Sequence, residues 1–230
     1  HRVSTRPWDV TAWDARTDMG NYLGMLQTDV NGAVHMIGLE FSLSVGQGLK
    51  HRIWSGGAWG SYTTIATPNG WENYPCDLCP NADHSKLHLV GYSYHQAGPA
   101  EWKNGWHIYY DVAAGTWKRL DGTTLTLPAT QNATTGVLSG FDTVQSGDAY
   151  VPICAVDPNG DVWMIVPSNA STGQRTQYLY KGTLGGSWSS SLKTFEYVRT
   201  KGCMAFTGDG SGLVFIAPAS KTSALETPWD

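Results

Sequence analysis

The chain has 230 residues, a net charge of −4 at pH 7 and only 15% charged residues, against 27 glycines, 11 tryptophans and 11 tyrosines. That charge balance, with no basic cluster, argues against nucleic acid or an anionic membrane as the main partner, and no apolar run is long enough for a transmembrane helix. Apolar residues alternate or cluster in runs of four to eight, so the fold class is all-β, with short strands joined by tight turns.

Residues 1–20 carry Trp8 and Trp13 without clear alternation and read as an entry strand or the remains of a preceding unit. A first unit begins at Tyr22-Leu23-Gly24-Met25-Leu26, turns at Asp29-Val30-Asn31-Gly32 and returns through Ala33 to Gly38. Asn-Gly between two apolar runs predicts a type I′ hairpin, which needs positive φ at both central residues. A further strand is expected around His51-Arg52-Ile53-Trp54, before a turn at Gly56-Gly57.

The second unit runs from Glu72 to Pro128. A hairpin turn is expected around Asn81 to Ser85, then the apolar run Leu87 to Tyr94 ending on His95. A polar, aromatic loop follows from Gln96 to Trp106, then strands carrying Tyr109-Tyr110 and Trp117. The third unit starts near Ala149, turns at Asp157-Pro158-Asn159-Gly160 and returns through Val162 to Val166, with Tyr178, Tyr180 and Trp188 on outer strands. A fourth, Cys203 to Phe206 and Leu213 to Ala217, has no outer strands. One phrase therefore recurs four times: apolar run, Asp/Asn/Gly turn, apolar run, often with a Trp-bearing strand. Such repetition predicts a β-propeller of four to five visible blade units. It is either a small propeller or part of a larger seven-bladed ring that a second chain or segment would complete; a β-sandwich is the alternative. Residues 1–230 are read as one propeller domain or fragment.

Cys76, Cys79, Cys154 and Cys203 can pair in three ways, stay as free thiols, or, for Cys76 and Cys79 with His84 or His88, bind zinc. No complete ligand set is visible, so no cofactor is assigned and a structural calcium or zinc stays open. The sequons at Asn132 and Asn169 matter only in a eukaryotic secretory setting. A start at His1 without methionine reads as a mature or trimmed product.

Two phrases resemble the propellers with BNR repeats of the ulvan-lyase type. Trp117-Lys118-Arg119-Leu120-Asp121-Gly122 through Pro128 is similar to their blade close. Asn73-Tyr74-Pro75, followed by Tyr92-Ser93-Tyr94-His95, is similar to their His-Asn-x-Pro element and the strand ending in histidine. The resemblance covers about Glu72 to Tyr180. It implies a secreted or extracellular lyase that cleaves an acidic, uronate-containing polysaccharide by β-elimination. His95 then matches the histidine after the strand, and Tyr150, in Tyr150-Val151-Pro152, matches the tyrosine of a Tyr-Pro element. Glu72 stands where the family has its first histidine, and the arginine expected after Tyr150 is missing from its place, with only Arg175 nearby.

Elimination needs the carboxylate neutralised, a base for the C5 proton and an acid for the leaving oxygen. His95 is the expected base and Tyr150 its partner. Asn73, Trp102, Lys103 and Trp106 are candidate substrate contacts, because aromatic faces suit sugar rings and a lysine suits a carboxylate or sulfate; Arg52 and Arg175 are candidate carboxylate partners. His107 reads as structural, Asp111 and Asp142 as turn residues, and Tyr92 and Tyr94 as core on the face opposite His95. The runner-up function is a non-catalytic, lectin-like or scaffolding propeller.

Overall fold

A computed structural model describes residues 22–40, 48–95, 101–168, 175–197, 203–207 and 212–216. Among these there is no helix; sixteen strands form four antiparallel sheets. The first holds β1 (Tyr22–Thr28), β2 (Val34–Glu40) and β3 (Gly48–Ser55), with a fourth position shared by β4 (Ala58–Trp59) and β5 (Thr63–Ala66). The second repeats this plan with β6 (Trp71–Pro80), β7 (Lys86–His95) and β8 (Glu101–Asp111), whose outer edge is shared by β9 (Thr116–Lys118) and β10 (Asp142–Asp148). The third is the simple meander β11 (Ile153–Val156), β12 (Val162–Pro167), β13 (Arg175–Gly182) and β14 (Lys193–Tyr197). The hairpin β15 (Cys203–Phe206) and β16 (Leu213–Ile216) is the fourth.

These sheets coincide with the four recurring phrases of the sequence. They stack face to face: the first strand of each touches the first strand of the next, β1 against β6, β6 against β11 and β11 against β15. Three apolar layers fill the gaps. Ile37, Leu49 and Ile65 meet Trp106, Ile108 and Tyr110; Val90 and Tyr92 meet Val162, Met164 and Val166; Ile153 and Ile165 meet Met204. The second and third sheets are therefore buried on both faces. This explains why β7 and β12 read as continuous apolar runs rather than strict alternation.

The hairpin turns differ from expectation in type. In Asp29-Val30-Asn31-Gly32 only Gly32 has positive φ, at 76°. Asp29 Oδ1 instead accepts the N–H groups of Asn31 and Ala33, each at 2.9 Å. Asp157 does the same for Asn159 and Asp161 at 2.9 and 3.0 Å, with Gly160 at φ 86°. A carboxylate that captures its own turn makes the second positive φ of a type I′ turn unnecessary. In both turns the other oxygen, Oδ2, reaches the residue six positions on: His35 Nε2 at 3.1 Å and Trp163 Nε1 at 3.2 Å.

Of the loop expected from Gln96 to Trp106, residues 96–100 lie outside the described residues, and 101–106 are strand. Trp102, Lys103 and Trp106 lie on β8, held by β7 on one side and, for Lys103 and Trp106, by β10 on the other. The entry segment 1–20 and the sequon at Asn169 lie outside the described residues.

Candidate functional site

Register fixes which side chains can share a site. Across the β6–β7 pair, Trp71 faces His95 and Asn73 faces Ser93, while Glu72 faces Tyr94 and Tyr74 faces Tyr92. Side chains alternate between faces, so His95 and Asn73 point towards the first sheet, and Glu72, Tyr74, Tyr92 and Tyr94 towards the third.

The face towards the third sheet gathers five aromatic rings at one end. Tyr74 stacks on Tyr92 at 5.5 Å between centroids, Tyr94 lies 5.4 Å from Trp102, and Tyr150 lies 5.7 Å from Tyr92 and 5.8 Å from Trp102. Tyr150 is half-buried, and its N–H donates to Pro167 O at 2.8 Å, while Ala149 N–H donates to Trp102 O at 3.0 Å. The backbone that carries this phenol is thus clamped between the second and third sheets. The next residue, Val151, has φ 42°. A β-branched side chain in the left-handed region costs on the order of 1–3 kcal/mol, so the surrounding bonds force this geometry on the segment after Tyr150. Burial, with Cys76 and the neighbouring tyrosines, pushes the Tyr92 phenol well up, so Tyr92 stays protonated.

Arg175 begins β13 at the same end: Ser168 N–H donates to Thr176 O at 2.8 Å, directly after Pro167, the residue that accepts from Tyr150. Its backbone is therefore close in the fold to Tyr150, a proximity that 24 intervening residues hide in the sequence.

The other face is arranged differently. His95 packs on Trp71 at 4.7 Å, and Lys103 pairs with Glu101 at 2.8 Å while lying 5.9 Å from the Trp71 ring. The Lys103 bond holds the Glu101 carboxyl below its ordinary range. Asn73 is fully buried; its Oδ1 accepts from Gln131 Nε2 at 2.7 Å, so it braces the segment 131–136 and is not open to a ligand.

That corrects Asn73 as a substrate contact, and three further expectations are corrected by this geometry. Trp106 is 1% exposed, packed against Phe141 and over Gly91, and belongs to the core, not to a substrate wall. Arg52 lies on β3, where Nε donates to Gly60 O at 2.8 Å and Nη1 to Tyr62 at 3.2 Å between the Trp59 and Tyr62 rings. It lines a cavity of about 370 Å³ with His51, Tyr110 and Trp117, whose lining does not include Tyr150. Finally, His95 and Tyr150 are not brought together, because they belong to opposite faces of the second sheet.

Two buried histidine pairs are not expected from the sequence as pairs, where His107 reads as structural and His88 only as one possible zinc partner of Cys76 and Cys79. His35 and His51 are 2.8 Å apart, Nδ1 to Nε2, and His88 and His107 are 3.1 Å apart, Nδ1 to Nε2. Each pair joins a second strand to a third in the same diagonal register. Each ends on a carboxylate, Asp29 for His35 and Asp142 for His107. Burial, with His35 beside it, pushes His51 down to about 3, and burial drives His88 well down; burial also outweighs the carboxylate beside His35 and His107. Burial alone would raise Asp142, but the bonds from His107, Leu120 N–H and Arg119 hold it below its ordinary value. These neutral, bonded imidazoles pin strands together. Among the described residues no three His, Cys, Asp or Glu side chains converge as metal ligands.

No family model and no curated protein matches the chain. Solved structures do match in fold. Two structures of an ulvan lyase, described as a new family of polysaccharide lyase and one of them bound to GlcA(1-4)Rha3S, share 11% identity with a TM-score of 0.53 over 89% of this chain. A protein of unknown function from Dyadobacter fermentans shares 13% identity with a TM-score of 0.51 over 82% of the chain. The chain spans 62% of the ulvan lyase's length and 60% of the Dyadobacter protein's.

Proposed function

We propose that this chain is part of a secreted β-propeller that cleaves a uronate-containing acidic polysaccharide by β-elimination. The observation that carries this reading is the phenol of Tyr150 on its clamped backbone, set by a strained Val151 among the rings of Tyr92, Tyr94 and Trp102. The consecutive contacts of the sheets' first strands fit propeller blades, and the fold match to an ulvan lyase fits this use of the scaffold.

In this reading the exposed part of the aromatic cluster receives a sugar ring, since flat apolar faces suit the C–H faces of a pyranose. Arg175, whose backbone begins β13 at this end, is the candidate to oppose the uronate carboxylate, so that negative charge developing towards it in the transition state is stabilised. Tyr150 Oη carries the proton from C5 to the leaving oxygen, the C4=C5 double bond forming as the C4–O bond breaks. Protons balance within one residue, which removes the need for His95 on the opposite face. His95 and Lys103 then flank the polymer at the sheet's end.

A second reading, a non-catalytic glycan-binding propeller, draws on the register that separates His95 from Tyr150 and on Glu72 in the place of a histidine. Ultraviolet absorbance of the 4,5-unsaturated uronate, followed over ulvan, alginate, pectin and glycosaminoglycans, separates the two. A rise on one polymer supports the lyase. Saturable calorimetric binding to a polymer with a flat absorbance trace supports the lectin, and neither signal on any polymer rejects both.

A further inference from the structure

We infer that Cys79 and Cys154 form a disulfide that covalently joins the second sheet to the third. Their sulfurs are 2.7 Å apart, although the two residues are separated by 75 positions in the chain. The two are free thiols in the structure, at a distance inside the separation of two thiols that merely touch and longer than the roughly 2.05 Å of a formed disulfide, so a small shift closes the bond. The surroundings hold both ends in place. Cys79 is on β6, paired with His88, and Cys154 is on β11, paired with Met164. The two strands touch, and Cys154 N–H donates to Asp77 Oδ2 at 3.0 Å, a second bridge between the same strands. Both side chains belong to the apolar layer that carries Tyr74, Tyr92 and Tyr150.

Cys76 is excluded from this pair by its own placement, with its thiol directed at Tyr74 O at 3.5 Å. Burial raises the Cys76 and Cys154 thiols, which leaves the half-exposed Cys79 as the entry point for an oxidant. With glutathione disulfide as oxidant, the Cys79 thiolate attacks one of its sulfurs and releases one glutathione. The Cys154 sulfur then displaces the second glutathione from Cys79. One Sγ–Sγ bond forms and the glutathione disulfide bond breaks. The two protein thiols lose two hydrogens, and two glutathione thiols carry them away. Because the link crosses a long loop between inner strands, it restricts the unfolded chain and holds the face that carries the tyrosines.

The test is proteolysis of the whole chain after refolding in a glutathione redox buffer, under non-reducing, alkylating conditions, with mass mapping of the peptides. The expected result is a Cys79–Cys154 linked pair two hydrogens lighter than the reduced peptides, with Cys76 alkylated. Thermal melts of the same sample with and without dithiothreitol should show a midpoint several degrees higher in the oxidised form. The Cys76→Ser variant should keep both results and Cys79→Ser should lose both. Full alkylation of Cys79 and Cys154 in the folded, oxidised protein overturns the inference, and so does a linked pair that joins Cys76 to Cys79 or involves Cys203. None of these outcomes depends on polysaccharide cleavage.

Discussion

The indole N–H of Trp117 donates to Nδ1 of His51 at 3.3 Å, tying the outer edge of the second sheet to the third strand of the first. The bond sets the tautomers behind it: His51 Nε2–H donates to His35 Nδ1, and His35 Nε2–H donates to Asp29. In the corresponding place one sheet on, Trp188 packs on His107 at 5.1 Å, yet its Nε1 and the Nε2 of His88 are both buried without a partner.

That difference predicts unequal costs for the same substitution. Trp117→Phe strands the His51 acceptor and should destabilise the fold by about 2 kcal/mol. Trp188→Phe removes a donor that bonds to nothing and should cost clearly less. Urea unfolding of the two variants checks this, and equal losses would refute it.

The histidine pairs also predict acid lability. An unfolded histidine titrates near 6.5, whereas folded His51 titrates at about 3 and His88 well below its ordinary value. The unfolded chain therefore binds more protons within that window, and stability falls as pH drops from about 6.5 towards 3. Asp29 and Asp142, both lowered, add a further loss as pH falls through their own folded values. Thermal midpoints recorded between neutral and mildly acid pH should decline steadily; a flat profile would contradict the buried neutral imidazoles.

Gly91 faces the carbonyl of Tyr74 and the ring of Trp106 with no room for a methyl group. Gly91→Ala must push apart β6 and a fully buried indole, at a cost of about 3 kcal/mol. A large drop in the denaturation midpoint is the expected result.

If Tyr150 transfers the proton, Tyr150→Phe should lower the elimination rate by about 10²- to 10⁴-fold with an unchanged melting temperature. His95→Ala should retain most of the rate, since its ring packs on Trp71 on the opposite face. The reverse pattern, loss with His95→Ala alone, would move the chemistry to the other side of the sheet.

Val151→Gly releases the left-handed strain and should raise stability by about 1 kcal/mol. The same change loosens the support of Tyr150, so the rate should fall while the melt improves. A rate that rises with stability would show that the strain has no part in positioning the phenol.

The hairpins at Asp29 to Gly32 and Asp157 to Gly160 were legible because Asp-x-Asn-Gly between apolar runs is local chemistry, even though the two carboxylates settle a different turn type. The opposite orientation of Tyr94 and His95 was legible too, from alternation alone. The histidine pairs were not, because His88 and His107 meet only through the register of two strands 19 positions apart. Trp106 misled for a related reason. Its polar neighbours suggest a loop, whereas a bulge between Gly91 and Ser93 and the bare Cα of Gly91 turn its ring into the core. The nearness of Arg175 to Tyr150 required the β12–β13 hairpin to close first.

The turns closed by Asp29 and Asp157 have a consequence for how the molecule is made. Each carboxylate gathers bonds from residues two, four and six positions ahead, so each hairpin can zip as soon as a few residues have left the ribosome. Contacts between sheets, such as β6 with β11, must wait for far longer stretches of chain. Assembly should then run from the N-terminus in discrete steps, each finished sheet offering a template face to the next one synthesised.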